Sequence, residues 1–381
     1  MIYFDNSATT RPYPEVTDTY LKVSTEYFGN PSSLHPLGKI SERLLVQARE
    51  RAAELLKVNP SEILFTSGGT ESNNLAIKGT AHQYQGRGNH LITSSTEHAS
   101  SLEAFQQLEK EGFRVSYLDP DNNGIITAEQ VKEELTDETI LVSLIHVHNE
   151  TGSIQPVQEI GEVLSHHPKV LFHVDHVQGA AKVPLDFRTA KVDLCTLSAH
   201  KFHGMKGSGI LYVRNGVRLH SLLSGGSQER GIRAGTENVA GVTAMIKALR
   251  MSMGKSETFL PQIRKINRWI EQECSNIPGV VINSPEERAP HILNISVPGI
   301  KPEVMVQALA EKDIYVSTKS ACSSRETEPS RTLIAMGYDK ETASSALRIS
   351  LTYENTFEEA ERFIAEFSDI VASLKKVVNK Q

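Results

Sequence analysis

The chain has 381 residues, 39% of them hydrophobic and 23% charged, and a formal net charge of −6. That length and apolar content support a sizeable core in one large or two ordinary domains, and the acidic balance argues against direct nucleic-acid or anionic-membrane binding. No run approaches the roughly 18 apolar residues of a membrane span, and "MIYFDNSATTRPYPEV" is not a basic and then apolar leader, so a cytoplasmic protein is expected.

From about residue 40 to 250, helical stretches such as "GKISERLLVQARERAAELLK" alternate with the short apolar runs "SEILFTS", "NHLITSS", "TILVSLIHV", "KVLFHVD" and "VDLCTLS". This alternation predicts an α/β fold with a mainly parallel sheet covered by helices. Around 250–275, Leu260, Ile263, Ile266, Trp269 and Ile270 recur at helical spacing and predict a long helix leading into a second domain. There "HILNISVPG", "KPEVMVQALAEKD" and "IYVST" read as strand, helix and strand, and a final helix covers about 356–378.

Three strand ends carry candidate chemistry. In "ILFTSGGTESNN" a strand passes through Gly68 and Gly69 into a helix, where free N–H groups and the hydroxyl of Thr70 favour a phosphate; an ordinary strand-to-helix turn is the alternative. "VLFHVDHVQGA" ends a strand on Asp175, placed either to fix a cationic group or to cap a helix, with Gln178 three residues on. "VDLCTLSAHKFHG" delivers Ser198, His200 and Lys201 to the same edge, while Lys206 lies beyond Gly204.

A phosphate cradle, a strand-end carboxylate and a strand-end lysine together suit pyridoxal 5'-phosphate, with Lys201 linked covalently to the cofactor, Asp175 holding its ring nitrogen protonated, and Ser198 and His200 donating to its phosphate. His98 of "HLITSSTEHAS" reaches a neighbouring strand end, where an imidazole can stack on a planar ring and carry protons.

The "HVH" of His146 and His148 places two imidazoles on one face of a strand, but no spacing matches a known zinc motif, and no metal site is expected. Of the three cysteines, Cys195 and Cys274 lie in apolar or helical surroundings. Cys322 of "VSTKSACSSRETEPS" stands in a polar loop between Lys319 and Arg325, cations that favour its thiolate; it is the one reactive cysteine expected.

Taken together, "YFDNSATT", "FGNPSSLH", "FTSGGTESNN", "TEHAS", "HNETG", "DHVQ", "SAHKFHGMKG", "RAGTEN", "SACSS" and "LRIS" resemble, in order and approximate spacing over nearly the whole chain, the pyridoxal-phosphate-dependent cysteine desulfurases of the nitrogen-fixation and iron–sulfur-assembly type. The resemblance implies the type I pyridoxal-phosphate transferase fold, with a large cofactor-binding domain over 15–250 and a small domain built from 1–14 and 251–381. It implies that Lys201, Asp175, His98, Gly69, Thr70, Ser198 and His200 hold the cofactor, that Gln178 and Asn149 address the ring-hydroxyl side, and that Thr236 reaches the phosphate of a second subunit in a homodimer.

It further implies that Arg348 grips the substrate carboxylate, with Asn149 also on the substrate side. L-cysteine would become L-alanine, its sulfur held as a persulfide on Cys322 for transfer to an acceptor protein, either a cluster scaffold or a thiolation enzyme. Thr318 and Lys319 stand where the family usually has a Ser-Gly pair, His148 where it has an asparagine, and His176 where a small residue is usual. The remaining alternatives are a selenocysteine lyase, another type I enzyme such as an aminotransferase, and a non-catalytic sulfur-carrier or interaction subunit.

Overall fold

In the computed structural model, which describes residues 1–318 and 328–378, the strands in chain order are β1 (Ile2–Tyr3), β2 (Ile63–Thr66), β3 (His90–Ser94), β4 (Arg114–Leu118), β5 (Thr139–Ile145) and β6 (Leu171–Asp175). They continue as β7 (Leu194–Ser198), β8 (Gly209–Val213), β9 (Val281–Ile282), β10 (Ile292–Ser296), β11 (Ile314–Tyr315) and β12 (Ala346–Ser350). Seven of them form one sheet in the order β2-β8-β7-β6-β5-β3-β4. Every neighbouring pair is parallel except the two made by β8, which runs antiparallel to β2 and to β7.

The expected parallel sheet is therefore a mixed one. Strands β2, β3 and β5 to β8 are buried along their whole length, as sheets covered by helices on both faces must be. Because β2, β3, β5, β6 and β7 share a direction, their C-terminal ends line one edge of the sheet. The helices Gly69–Tyr84 and Ala99–Lys110 start from that edge.

A second core lies away from this sheet. It joins Ile2 and Phe4 to Leu293, Ile295, Ile314, Leu347, Ile349 and the helix Phe357–Val378, so both chain ends build it. Its strands pair antiparallel as β12-β10-β9 and parallel as β1-β11. The helix Val239–Ser275 connects the two cores: Val242, Met245 and Leu249 pack into the first, and Ile263, Ile266, Ile270 and Cys274 into the second. It begins eleven residues before the expected 250, since Asn238 caps it by accepting from the Gly241 N–H at 2.9 Å. Among the described residues, no helix is long and apolar enough to cross a membrane.

Candidate active site

At the C-terminal edge of the sheet lies an open cleft lined by Gly69, Thr70, His98, Asn149, Asp175, Gln178, Ser198, His200, Lys201 and Arg348. Ten of the twelve residues expected in the site are thus brought together. β7 ends at Ser198 and runs straight into a single 3-10 turn, Ala199–Lys201, which turns Lys201 toward the cleft. Its Nζ donates to the main-chain oxygens of Ser7 at 2.6 Å and Ala8 at 2.8 Å. Lys206 is exposed and lines no part of the cleft, so the strand end selects Lys201.

Asp175 closes β6 and is 3% exposed. Its Oδ1 accepts from the Val177 N–H at 2.9 Å, the local turn that an aspartate favours at a strand end. Its Oδ2 accepts from Asn73 Nδ2 at 2.7 Å. Asn73 also lines the cleft and was absent from the expected set, as were Ser7, Ala8 and Ser100. The one sequence signal for Asn73 is a polar amide on the buried side of the helix that starts at Gly69.

The turn that opens the helix Gly69–Tyr84 is built by close approach. Gly68 has φ +151°, and a Cβ added at Gly69 would lie 3.1 Å from Val177 Cγ2 and 3.5 Å from Ser198 Cβ. Only glycine lets this turn sit against the end of β7, leaving the unsatisfied N–H groups of the helix Gly69–Tyr84 aimed at the cleft. Glu71 in the first turn pairs with Arg233 at 2.8 Å, so a nearby carboxylate is already neutralised. His200 is pushed down to about 3 by burial and by the charges of Lys201, Lys206 and Lys182, which makes it a neutral donor. Its Nδ1 lies 3.3 Å from Thr9 Oγ1.

His98 caps the helix Ala99–Lys110 by accepting from the Ser100 N–H at its Nδ1, at 3.2 Å. That bond assigns the proton of the neutral ring to Nε2. Burial holds the imidazole below its usual pKa. Arg348, on β12 of the second core, is 1% exposed. Its Nη1 donates to Asn149 O at 2.9 Å, and its Nη2 to Asp5 Oδ1 at 3.1 Å and Ser317 Oγ at 3.2 Å. Its Nε is buried without a partner, as are Gln178 Oε1 and Asn73 Oδ1. A site with this many buried, unanswered polar atoms is organised for a polar ligand.

Two expected residues remain. Thr236 is exposed and lines no part of the cleft. Cys322, with Lys319 and Arg325, lies outside the described residues. The histidines first weighed as ligands have other partners. His146 Nδ1 and His176 Nδ1 share a hydrogen bond of 2.8 Å, and His148 Nε2 faces Thr96 O at 2.8 Å.

These residues fit pyridoxal phosphate: a glycine cradle for the phosphate, a buried carboxylate for the ring nitrogen, an amine for the aldehyde and unanswered polar atoms between them. The aminotransferase class-V family model matches residues 2–363. A NifS/IcsS protein homolog of Lactobacillus delbrueckii subsp. bulgaricus is 46% identical over 99% of both chains. Cysteine desulfurase IscS of Clostridium botulinum is 41% identical over 99% of this chain and 96% of that one. Among solved structures, a NifS-like protein superposes with a TM-score of 0.92 at 36% identity, covering 97% of this chain and 99% of that one. A structure described as SspA in complex with cysteine gives 0.82 at 33% identity, covering 93% and 100%. With the class-V model matching nearly the whole chain and these relatives 41–46% identical over 99% of it, the chain belongs to the aminotransferase class-V family, among its NifS/IscS-like cysteine desulfurases.

Proposed function

We propose that the chain is a pyridoxal-phosphate-dependent cysteine desulfurase that converts L-cysteine to L-alanine and holds the sulfur on Cys322. The observation that carries this reading is the convergence of Lys201, Asp175 and the Gly68-Gly69 helix start on one sheet edge, beside Arg348. Gly69, Thr70, Ser198 and His200 hold the cofactor phosphate, Asp175 holds the ring nitrogen, Gln178 and Asn149 stand on the ring-hydroxyl side, and His98 covers a ring face. When bound, the cofactor supplies an electron sink for negative charge developing at the substrate Cα.

The remaining work falls to the chain. Arg348 and Asn149 bind the substrate on its carboxylate side, a task that the planar guanidinium fork suits. The Lys201 amine would hold the cofactor and, with substrate bound, would accept the Cα proton. The Cys322 thiolate attacks the substrate sulfur, so an S–S bond forms as the C–S bond breaks; the electron pair of that bond stays on the three-carbon fragment, which takes up a proton and leaves as alanine. His98, neutral with its proton on Nε2, is placed to help move that proton. The persulfide then passes to an acceptor protein, a cluster scaffold or a thiolation enzyme.

A homodimer belongs to the same proposal. Phe28, Leu34, Leu37 and Ile40 are 71%, 90%, 45% and 40% exposed within one short segment, an apolar surface that a second copy would cover. Thr236 is exposed on a loop available to that copy's phosphate. A large domain over 15–250, a small one from 1–14 and 251–381, and a cytoplasmic location complete it. In the test, purified protein is incubated with cysteine, and alanine and protein-bound sulfur are measured by mass spectrometry. Cys322→Ser should load the cofactor yet yield neither product, and Lys201→Ala should lose turnover. Persulfide on Cys195 or Cys274 with Cys322→Ser still active would overturn the reading.

A further inference from the structure

Lys182 is the only buried lysine among the described residues, at 5% exposure. The chain reaches it by a turn after β6 in which Ala181 takes φ +59°, a conformation rarely held by a residue with a side chain. Tyr353 Oη donates to the Ala181 carbonyl and pins that turn. Among the described residues, no carboxylate pairs with the Lys182 ammonium. Its Nζ donates instead to the main-chain oxygen of Lys201, at 2.6 Å.

A buried cation without an anion is costly, and this one stands directly behind the residue that turns into the cleft. Among the described residues, the titratable groups that face it are imidazoles and cations. His176 faces it from the end of β6, His203 and His200 from the turn that carries Lys201, and His291 from the second core; burial holds all four imidazoles low and neutral. His291 has both ring nitrogens unpartnered. Arg348, Lys206 and Lys255 add positive charge around the same groups, while Asp175 and His98 lie with Lys201 on the cleft side. Burial, and then the charge of Lys201, push the Lys182 ammonium down to about 7.

We propose that Lys182 is a positioning residue for Lys201: its buried ammonium grips the Lys201 carbonyl and sets a positive field behind the Lys201 amine. The proposal rests on Lys201 being the cofactor lysine. Two neighbouring cations each disfavour the other's protonation, so the field keeps the Lys201 nitrogen in its neutral form, ready to react or to accept a proton. Asp175 acts on the same cleft with opposite sign. The end of β6 thus delivers the carboxylate that favours positive charge on the ring, and the turn after it the cation that opposes it on the lysine.

The test titrates the visible absorbance of the holoenzyme against pH, because the cofactor's spectrum changes when its linkage to Lys201 gains or loses a proton. Lys182→Gln keeps an N–H donor for the Lys201 carbonyl but removes the charge; Lys182→Met removes both; Lys182→Arg keeps both. The transition should move up by about one pH unit in the Gln and Met variants and stay near the wild-type position in the Arg variant. A Gln variant that titrates with the wild type, or an Arg variant displaced as far as Gln, would overturn the proposal. If both neutral variants fail to fold while Arg folds, the charge is required at this position; failure of all three counts against it. Borohydride reduction and peptide mapping of the wild type separates the two readings: cofactor found on another lysine defeats the site assignment, whereas cofactor on Lys201 with an unmoved transition defeats only the role of Lys182.

Discussion

Asn73 donates through Nδ2 to Asp175 Oδ2 at 2.7 Å, tying the helix Gly69–Tyr84, proposed to cradle the cofactor phosphate, to the carboxylate proposed to meet its ring nitrogen. The same nitrogen lies 2.9 Å from Ser100 Oγ, next to the residue pair that caps the following helix. Asn73→Ala should therefore misalign Asp175 without exposing it. Losing a hydrogen bond to a charged group, worth about 1.5–3 kcal/mol, predicts a rise of at least about tenfold in the cofactor dissociation constant. Equilibrium dialysis would measure it, with circular dichroism confirming an unchanged fold.

Arg348 acts at the other end of the cleft, and its replacement should separate substrate binding from cofactor binding. Arg348→Lys keeps a positive charge but not the fork, so kcat/KM for cysteine should fall about a hundredfold while cofactor content stays at one per chain. Cofactor loss in step with turnover would place Arg348 in the cofactor site instead.

Nine of the fourteen histidines are held below the usual imidazole pKa, with burial the largest cause for each: His90, His98, His146, His148, His173, His176, His200, His203 and His291. The unfolded chain binds protons at these rings below about pH 6.5, and the folded chain does not until lower pH. Stability therefore rises with pH through that window and is lost as pH falls from about 6.5 toward the folded values, about 4 for His146 and His203 and about 3 for His173 and His200. The denaturation midpoint should drop sharply between pH 7 and pH 5, and calorimetry in buffers of different ionisation enthalpy should show several protons taken up on unfolding.

The His146–His176 pair offers a narrower stability test. The rings stack at 4.9 Å, and a Cβ at Gly179 would come within 2.4 Å of the His176 ring, so the packing there is tight. His176→Ala leaves His146 Nδ1 buried without its partner and opens a void, predicting a loss of about 2–4 kcal/mol. Cofactor absorbance should be nearly unchanged, since neither ring lines the cleft.

Side chains at strand ends were legible because an apolar run that stops abruptly at a polar residue marks a sheet edge: Asp175, Ser198 and Lys201 are all of this kind. Asn73 was not, because its partnership with Asp175 depends on which strands become neighbours, and no local pattern carries strand order. Ser7 and Ala8 were hidden for a different reason, since they meet Lys201 through main-chain oxygens that every residue type possesses. β4 escaped notice because it is an edge strand with Arg114 exposed and the next four residues half-buried, which blurs its alternation. β8 escaped as a short apolar run whose reversed direction leaves no trace in composition. His146 and His148 were expected to share a face, but the chain leaves β5 at Ile145 and bridges Val147 to Ile154, sending the two rings to separate partners.

The order in which a ribosome makes this chain conflicts with the order in which the cleft needs it. Asp5 waits for Arg348, 343 residues downstream, and β1 waits for β11. At the ~5–20 residues per second of synthesis, roughly 17–70 s separate the emergence of the two ends. During that interval the large sheet completes its strands, and Ser7 and Thr10 already have partners on it, Gln178 Nε2 donating to Ser7 O at 3.0 Å and the Thr10 N–H to His200 O at 2.8 Å, while Asp5 and β1 still wait for theirs. Arg348 and its contacts to Asp5 and Asn149 are therefore the last parts of the cleft to be made.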